Sequence, residues 1–280
     1  MMAAKCRLLW RNLADEATLT APGAAEGFPA VMLQDYDPCM LCKAGSVGSD
    51  LVVEGSWSAP QTCTALALVR HNLSVGGSIT LTTDMGQTVN GKPWLPIYPF
   101  GRGPFGQGPI GGYPSAQERQ EMMPQPLAIV YLGQDLRFTN FTLRLSNPSN
   151  VAPLELGWLF LGRHLEAQVN FRWPYGFGFI DPSQEIKLPG GAKRYQRAER
   201  LAQFALDFEM VEAPQAYGEY LRLFYVLGKS VPFIIDAEPE GPGSRALPLR
   251  RYVRCLNGPP IPDFEQLHRA KFKLNLEEAR

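Results

Sequence analysis

The chain has 280 residues, equal numbers of basic and acidic side chains and 45% hydrophobic residues, enough to bury a sizeable core in one large or two ordinary domains. A neutral total excludes a global electrostatic pull towards nucleic acid or an anionic membrane, and no apolar run is long enough to cross a bilayer as a helix. With 27 Gly, 25 Pro and few helix-favouring runs, the composition leans to a mainly β, loop-rich fold.

The opening stretch, MMAAKCRLLWRNLADEATL, has no uninterrupted apolar segment, so no signal peptide is expected. FPAVMLQDYDPCM reads as a loop, and LVVEGSWSA and TALALVR as strands. GSITLTTD alternates Ile79 and Leu81 inward against Ser78, Thr80 and Thr82 outward, which puts one face on a core and one in water. HNLSVG joins the last two strands. His71-Asn72 is a polar pair at a strand end, where Asn caps free backbone groups.

From residue 91 to 126 the texture changes to GKPWLPIYPFGRGPFGQGPIGGYPSAQERQEMMPQP. Gly and Pro at this density predict neither helix nor central strand. The aromatics Trp94, Tyr98, Phe100, Phe105 and Tyr113, with Ile97 and Ile110, exceed what a free linker carries. Two readings stand: a surface loop tacked down by its own aromatics, or an arm laid on a neighbouring subunit. The glycines are not a phosphate loop, since prolines interrupt them and no helix is expected to follow.

LAIVYLG, LRFTNFTLRLS and LELGWLFLG are the next strands, with Phe138, Phe141, Leu143 and Leu145 near period two and Asn147-Pro148 as a turn. In the second half, AERLAQFALDFEMVEA alternates Phe204, Leu206, Phe208 and Met210 against Ala205, Asp207 and Glu209. A helix over 214–227 follows, with Tyr217, Tyr220, Leu221, Phe224 and Leu227 at helical spacing, Pro214 in its first turn and Gly228 at its stop. SVPFIIDAE, LPLRRYVRCL and RAKFKLNLEEA complete the strands. The expected organisation is two β-sandwich domains. Residues 1–163 form the first, with the 91–126 insertion, and 164–280 the second, with its flanking helix.

No residue set carries recognisable chemistry. Cys39-Met40-Leu41-Cys42 is the one metal-like spacing, but a second C-x2-C is missing. Cys6, Cys63 and Cys255 are scattered, and five cysteines fit a reducing compartment better than a disulfide framework. Buried free thiols are the simpler reading; a metal or iron–sulfur site assembled from distant cysteines is the alternative. His71, His164 and His268 have no ligand spacing and no nucleophile motif beside them. The expectation is no catalytic, cofactor-binding or metal residue, no cofactor, and no enzymatic activity. Two basic stretches, Lys187 to Arg200 and Arg245 to Arg254, are either solvated faces or surfaces for acidic partners or passing DNA.

WRNLADEATLTAPGAAEGFPAVMLQDYDP followed by TALALVRHNLSVGGSITLTTD resembles tail proteins of long-tailed bacteriophages, through Pro29-Ala30-Val31-Met32-Leu33 and His71-Asn72-Leu73. ELGWLFLGRHLEAQVNFRWPYG continues the likeness. The resemblance implies a discoidin-like (galactose-binding-like) jelly roll, then a tail-tube or distal-tail-like ring-forming sandwich. It implies a structural virion protein of the tail tip or baseplate, assembled in the bacterial host cytoplasm. Its partners would be further copies of itself in a hexameric ring, tail-tube protein and tail-tip hub proteins. DNA would pass through the lumen without specific contact, and no membrane insertion is expected. The alternative is a carbohydrate-binding tail module contacting host glycan, with Trp57, Trp94 and Tyr98 as stacking faces. The second alternative is a tail-tip protein whose Cys39 and Cys42 help to ligate a metal or iron–sulfur cluster.

Overall fold

The computed structural model describes residues 5–96, 112–187, 191–241, 246–258, 260–266 and 268–280. Its strands are β1 (Arg7–Asn12), β2 (Thr18–Thr20), β3 (Cys42–Lys43), β4 (Leu51–His71), β5 (Ser78–Thr83), β6 (Thr88–Gly91), β7 (Leu127–Ser146) and β8 (Glu155–Glu166). They continue with β9 (Gly176–Ile180), β10 (Gln184–Lys187), β11 (Lys193–Gln196), β12 (Leu201–Glu212), β13 (Phe233–Asp236), β14 (Arg250–Cys255), β15 (Asp263–Gln266) and β16 (Arg269–Glu278). The protein is mainly β and predominantly antiparallel.

Two compact units divide the chain. The first runs to Glu166 and also takes Ile234–Arg251, a segment that the sequence reading puts in the second domain; the second holds Ala167–Phe233 and Tyr252–Ala279.

In the first unit the strand order is β6-β5-β7-β4-β8-β1-β13, with β2 added to β4 and β3 to β8. The predicted pairs of short strands are here two long ones. LVVEGSWSA and TALALVR are both β4, and LAIVYLG and LRFTNFTLRLS are both β7. Each long strand serves two layers. Leu51 to Ser56 of β4 pairs with β2 and with the end of β7, whereas Ala65 to Val69 pairs with the start of β7 and with β8. The ladder shifts register between Ser56 and Gln61 and between Cys63 and Ala65, and such bulges let a strand bend from one layer to the next. Pro60 lies in the first shift, where its missing N–H interrupts no ladder. Phe138 and Phe141 are three residues apart and both buried, so the bulge also explains why period two is only approximate in β7. The layers enclose a core that includes Leu33, Leu51, Val53, Leu66, Leu81, Leu143 and Leu159.

The 91–126 segment is partly helical, against expectation. Ser115 caps α1 (Ala116–Met122) by accepting from Glu118 N, and the Glu118 carboxylate accepts from Ser115 N. This S-x-x-E capping box outweighs the surrounding Gly and Pro. Trp94 anchors the segment: it is buried and donates from Nε1 to Leu73 O at 2.8 Å. Ile97, Tyr98, Phe100, Phe105 and Ile110 lie outside the described residues.

In the second unit β9-β12-β16-β14 form a sheet with β15 on β16, and β10 and β11 form a separate hairpin. Phe204, Leu206 and Phe208 are buried as the alternation predicts. Met210 is not: it has φ +64 and is exposed, because the ladder shifts between Phe208 and Val211 and turns Val211 inward. The expected helix forms as α2 (Ala213–Gln215), a π-turn over Ala216–Tyr220 and α3 (Leu221–Leu227). The π-turn resets the helical phase. Tyr217 therefore points outward, and Leu223 joins Tyr220, Phe224 and Leu227 in the core. Tyr220 and Phe224 pack on Phe272 of β16 at ring distances of 4.8 and 5.2 Å. Gly228 ends α3 at φ +52.

Candidate functional site

The outward faces of β2, β4, β7 and β5 line up polar residues from four distant parts of the chain. Strand alternation sends Leu51, Val53 and Trp57 inward, which leaves Glu54 and Ser56 outward. Register then builds two rows across the strands. Thr20 faces Glu54, Glu54 faces Thr142, and Thr142 faces Thr82. Thr18 faces Ser56, and Ser56 faces Asn140.

Asp84, just past β5, closes the second row. Its carboxylate accepts from Thr139 N, from Asn140 N at 3.0 Å and from Asn140 Nδ2 at 3.2 Å. Together these residues line an open trough of ≈ 400 Å³. Four strands at about 4.8 Å spacing make it roughly 14 Å wide. Gly55 forms part of the lining, and a side chain there would collide with the Phe141 ring beneath. The trough offers hydroxyls, an amide and the carboxylate of Glu54. It holds no His, Cys or Lys.

The aromatics expected to stack on glycan are elsewhere. Trp57 and Trp94 are only 6% and 4% exposed. Trp57 packs on Phe138 and Phe141 and donates to Leu13 O at 2.8 Å. Each indole thus has its face against protein and its one polar atom satisfied, which removes it as a stacking platform. Tyr98 lies outside the described residues.

His71 ends β4 and is buried, edge-on to Trp94 at 5.7 Å. Neither ring nitrogen has a hydrogen-bond partner among the described residues. Burial pushes its pKa down to about 3, so the ring is neutral. Asn72 pins the corner, donating to Pro153 O at 2.7 Å and accepting from Glu155 N at 3.0 Å. His164 Nδ1 lies 2.8 Å from the Thr64 hydroxyl, and burial lowers its pKa. His268 is exposed on the second unit.

Cys39 is exposed and takes a contact from Arg70 Nη1 at 2.6 Å, while Cys42 is buried on β3 and its thiol is raised to about 11 by burial. Among the described residues no group of three His, Cys, Asp or Glu is placed to hold a metal ion.

Arg250 and Arg251 of the second basic stretch do not lie on the surface. Arg250 is buried with its Nε 3.0 Å from the buried Asp236 carboxylate, which also accepts from Tyr131 Oη at 2.8 Å. Arg251 is buried and donates to the carbonyls of Leu247, Arg250 and Met122. Arg254 pairs with Glu277 at 2.8 Å. Arg250 and Arg251 are thus committed internally, whereas Arg254 is exposed and Arg245 lies outside the described residues. In the first basic stretch, Lys193, Arg194, Arg197 and Arg200 are exposed; Lys193 pairs with Glu185 and Arg200 lies 3.8 Å from Asp181.

Comparisons with protein-family models and with curated proteins give no match. Among solved structures, the chain is similar to chitosan-binding module 1 of a chitosanase/glucanase from Paenibacillus sp. IK-5, at 13% identity and TM-score 0.36, over 54% of this chain and 98% of that one. A Streptococcus pneumoniae fucose-binding module aligns at 9% identity and TM-score 0.35, over 54% and 96%. The lectin-binding domain of Lectinolysin, in a complex with Lewis b, aligns at 10% and 0.36, over 55% and 96%. Likenesses at this level fix neither fold nor ligand.

Proposed function

We propose that the first unit is a non-enzymatic saccharide-binding module whose ligand lies along the trough over β2, β4, β7 and β5. The observation that carries this reading is the double row of Thr18, Ser56 and Asn140 beside Thr20, Glu54, Thr142 and Thr82. Hydroxyl, amide and carboxylate groups repeated at strand spacing complement the closely spaced hydroxyls of a sugar chain. A shallow polar face without a nucleophile–base pair suits binding rather than turnover. The test is an array of neutral oligosaccharides probed with the wild type and with Glu54→Ala. A binder that Glu54→Ala loses supports the reading; an array without binders contradicts it.

A second reading is the structural one that the phage-tail resemblance implies: a self-assembling ring of the tail tip, in contact with tail-tube and hub proteins. It is favoured by the second unit's β9 and the segment before it. Trp173 is 71% exposed and stands edge-on to Tyr175 at 5.0 Å, and Phe179 on β9 is also exposed. Among the described strands β9 pairs only with β12. A free strand edge beside exposed aromatics is a template for another chain. Electron microscopy of the purified protein decides: closed rings that Trp173→Ser with Phe179→Ser abolishes support it, and a monomer at all concentrations contradicts it.

A further inference from the structure

A cluster of arginines on the first unit lies outside the trough. Arg11 of β1 stands directly opposite Arg163 of β8. Their Cβ atoms are therefore about 5 Å apart, and like charges so placed repel. The strand register shifts between Leu9 and Arg11, and a bulge at that point re-aims the side chains that follow. Gly162 lets the two strands approach, since a Cβ there would strike the Arg11 carbonyl. Arg137 of β7, facing Thr62 of β4, completes the group. The three arginines line one cleft of ≈ 230 Å³ with Gln61, Thr62 and Pro60.

Compensation within the fold is slight. Arg163 lies 3.6 Å from Asp135, and both side chains are more than half exposed, a geometry of little energetic weight. The side chains of Arg11 and Arg137 have no ion pair or hydrogen bond among the described residues.

We propose that this cleft binds the carboxylate or sulfate group of an acidic saccharide. Three arginines lining one small cleft suit an oxyanion, which a guanidinium can meet with two N–H donors. A nucleic acid would need an extended basic track, and this cleft's lining offers three arginines in one small space. Arg137 lies three residues before Asn140 on β7, or roughly 10 Å along the strand, and both are exposed. The trough and the cleft thus share strand β7. The saccharide source rests on the proposed function above; the anion site itself does not.

The test follows the arginine Nε–Hε resonances by NMR during four titrations of the full chain: inorganic sulfate, a glucuronate-containing oligosaccharide, its neutral counterpart and a single-stranded oligonucleotide. The acidic oligosaccharide is expected to shift the Arg11 and Arg137 signals more strongly than sulfate does, with the neutral one leaving them unmoved. Arg11→Gln with Arg137→Gln should weaken the acidic ligand at least about ten-fold and spare the neutral one. Sulfate binding that the acidic saccharide does not improve contradicts the saccharide source. Preferential binding of the oligonucleotide, or silence towards all anions, overturns the proposal. Glu54→Ala loses neutral binding and keeps the sulfate response, which separates failure of the trough from failure of the cleft.

Discussion

Asp84 holds Asn140 twice, accepting from its backbone N–H at 3.0 Å and its side-chain amide at 3.2 Å. The second bond fixes which way the Asn140 amide faces at the end of the trough. Asp84→Ala is expected to cost about 1.5–3 kcal/mol, the scale of hydrogen bonds to a charged group, and to weaken saccharide binding out of proportion to that loss. Chemical denaturation beside calorimetric titration checks it; a stability loss with unchanged affinity would show that the residue only holds the turn.

His71 makes stability depend on pH in a defined direction. The unfolded ring takes up a proton near pH 6.5, whereas the folded one resists until about 3. Its contribution is therefore complete above pH 6.5 and is lost as pH falls towards 3. Asp15 acts in the opposite sense: burial raises its carboxyl to about 6, so its contribution fades as pH rises from about 4 through 6. His71→Leu isolates the first effect. Among the described residues both ring nitrogens lack partners, so the variant should be no less stable at pH 7.5 and progressively more stable than wild type at pH 5.5 and 4.5. Denaturant midpoints that run parallel in the two proteins would contradict this.

The thiols sort by burial. Cys6, Cys42, Cys63 and Cys255 are buried and their pKa values are raised, Cys63 to about 12 and Cys255 to about 11. Only Cys39 is exposed. Alkylation of the native protein should modify one cysteine per chain, mapping to Cys39, and all five after denaturation. Rapid native labelling of Cys42 would place the 39–42 segment differently.

Asp236 and Arg250 form a buried pair in which each charge depends on the other. Asp236→Ala strands the guanidinium and should cost ~3–5 kcal/mol, whereas Asp236→Leu with Arg250→Met, which removes both charges, should cost less. Soluble yield and thermal midpoint compare the two. A double variant less stable than Asp236→Ala would contradict that ordering.

Elements whose burial follows local periodicity were legible in the sequence. Phe204, Leu206 and Phe208 of β12, and Phe272, Leu274 and Leu276 of β16, lie where alternation puts them. The misreadings fall where one residue changes phase: at the β12 bulge that exposes Met210, and at the π-turn that exposes Tyr217. Trp94 holds down its loop as one of the two readings of that segment has it, whereas Trp57 as a stacking face and Arg250 and Arg251 as surface differ from the structure for another reason. Sequence shows their chemistry, but not the partner that covers it. The S-x-x-E capping box at Ser115 and Glu118 is a local signal that starts a helix despite the nearby prolines. The trough was not legible, since Thr18, Glu54, Thr82 and Thr142 share no motif. Only cross-strand register brings them together, and register between distant strands is set by the whole sandwich.

The most direct test of the trough is a backbone amide NMR titration of the full chain with a neutral oligosaccharide that it binds. The expected result is saturable shifts concentrated at Thr18, Thr20, Glu54, Ser56, Thr82, Asn140 and Thr142, and absent in Glu54→Ala. Shifts centred on other residues, or the same shifts in Glu54→Ala, would contradict it.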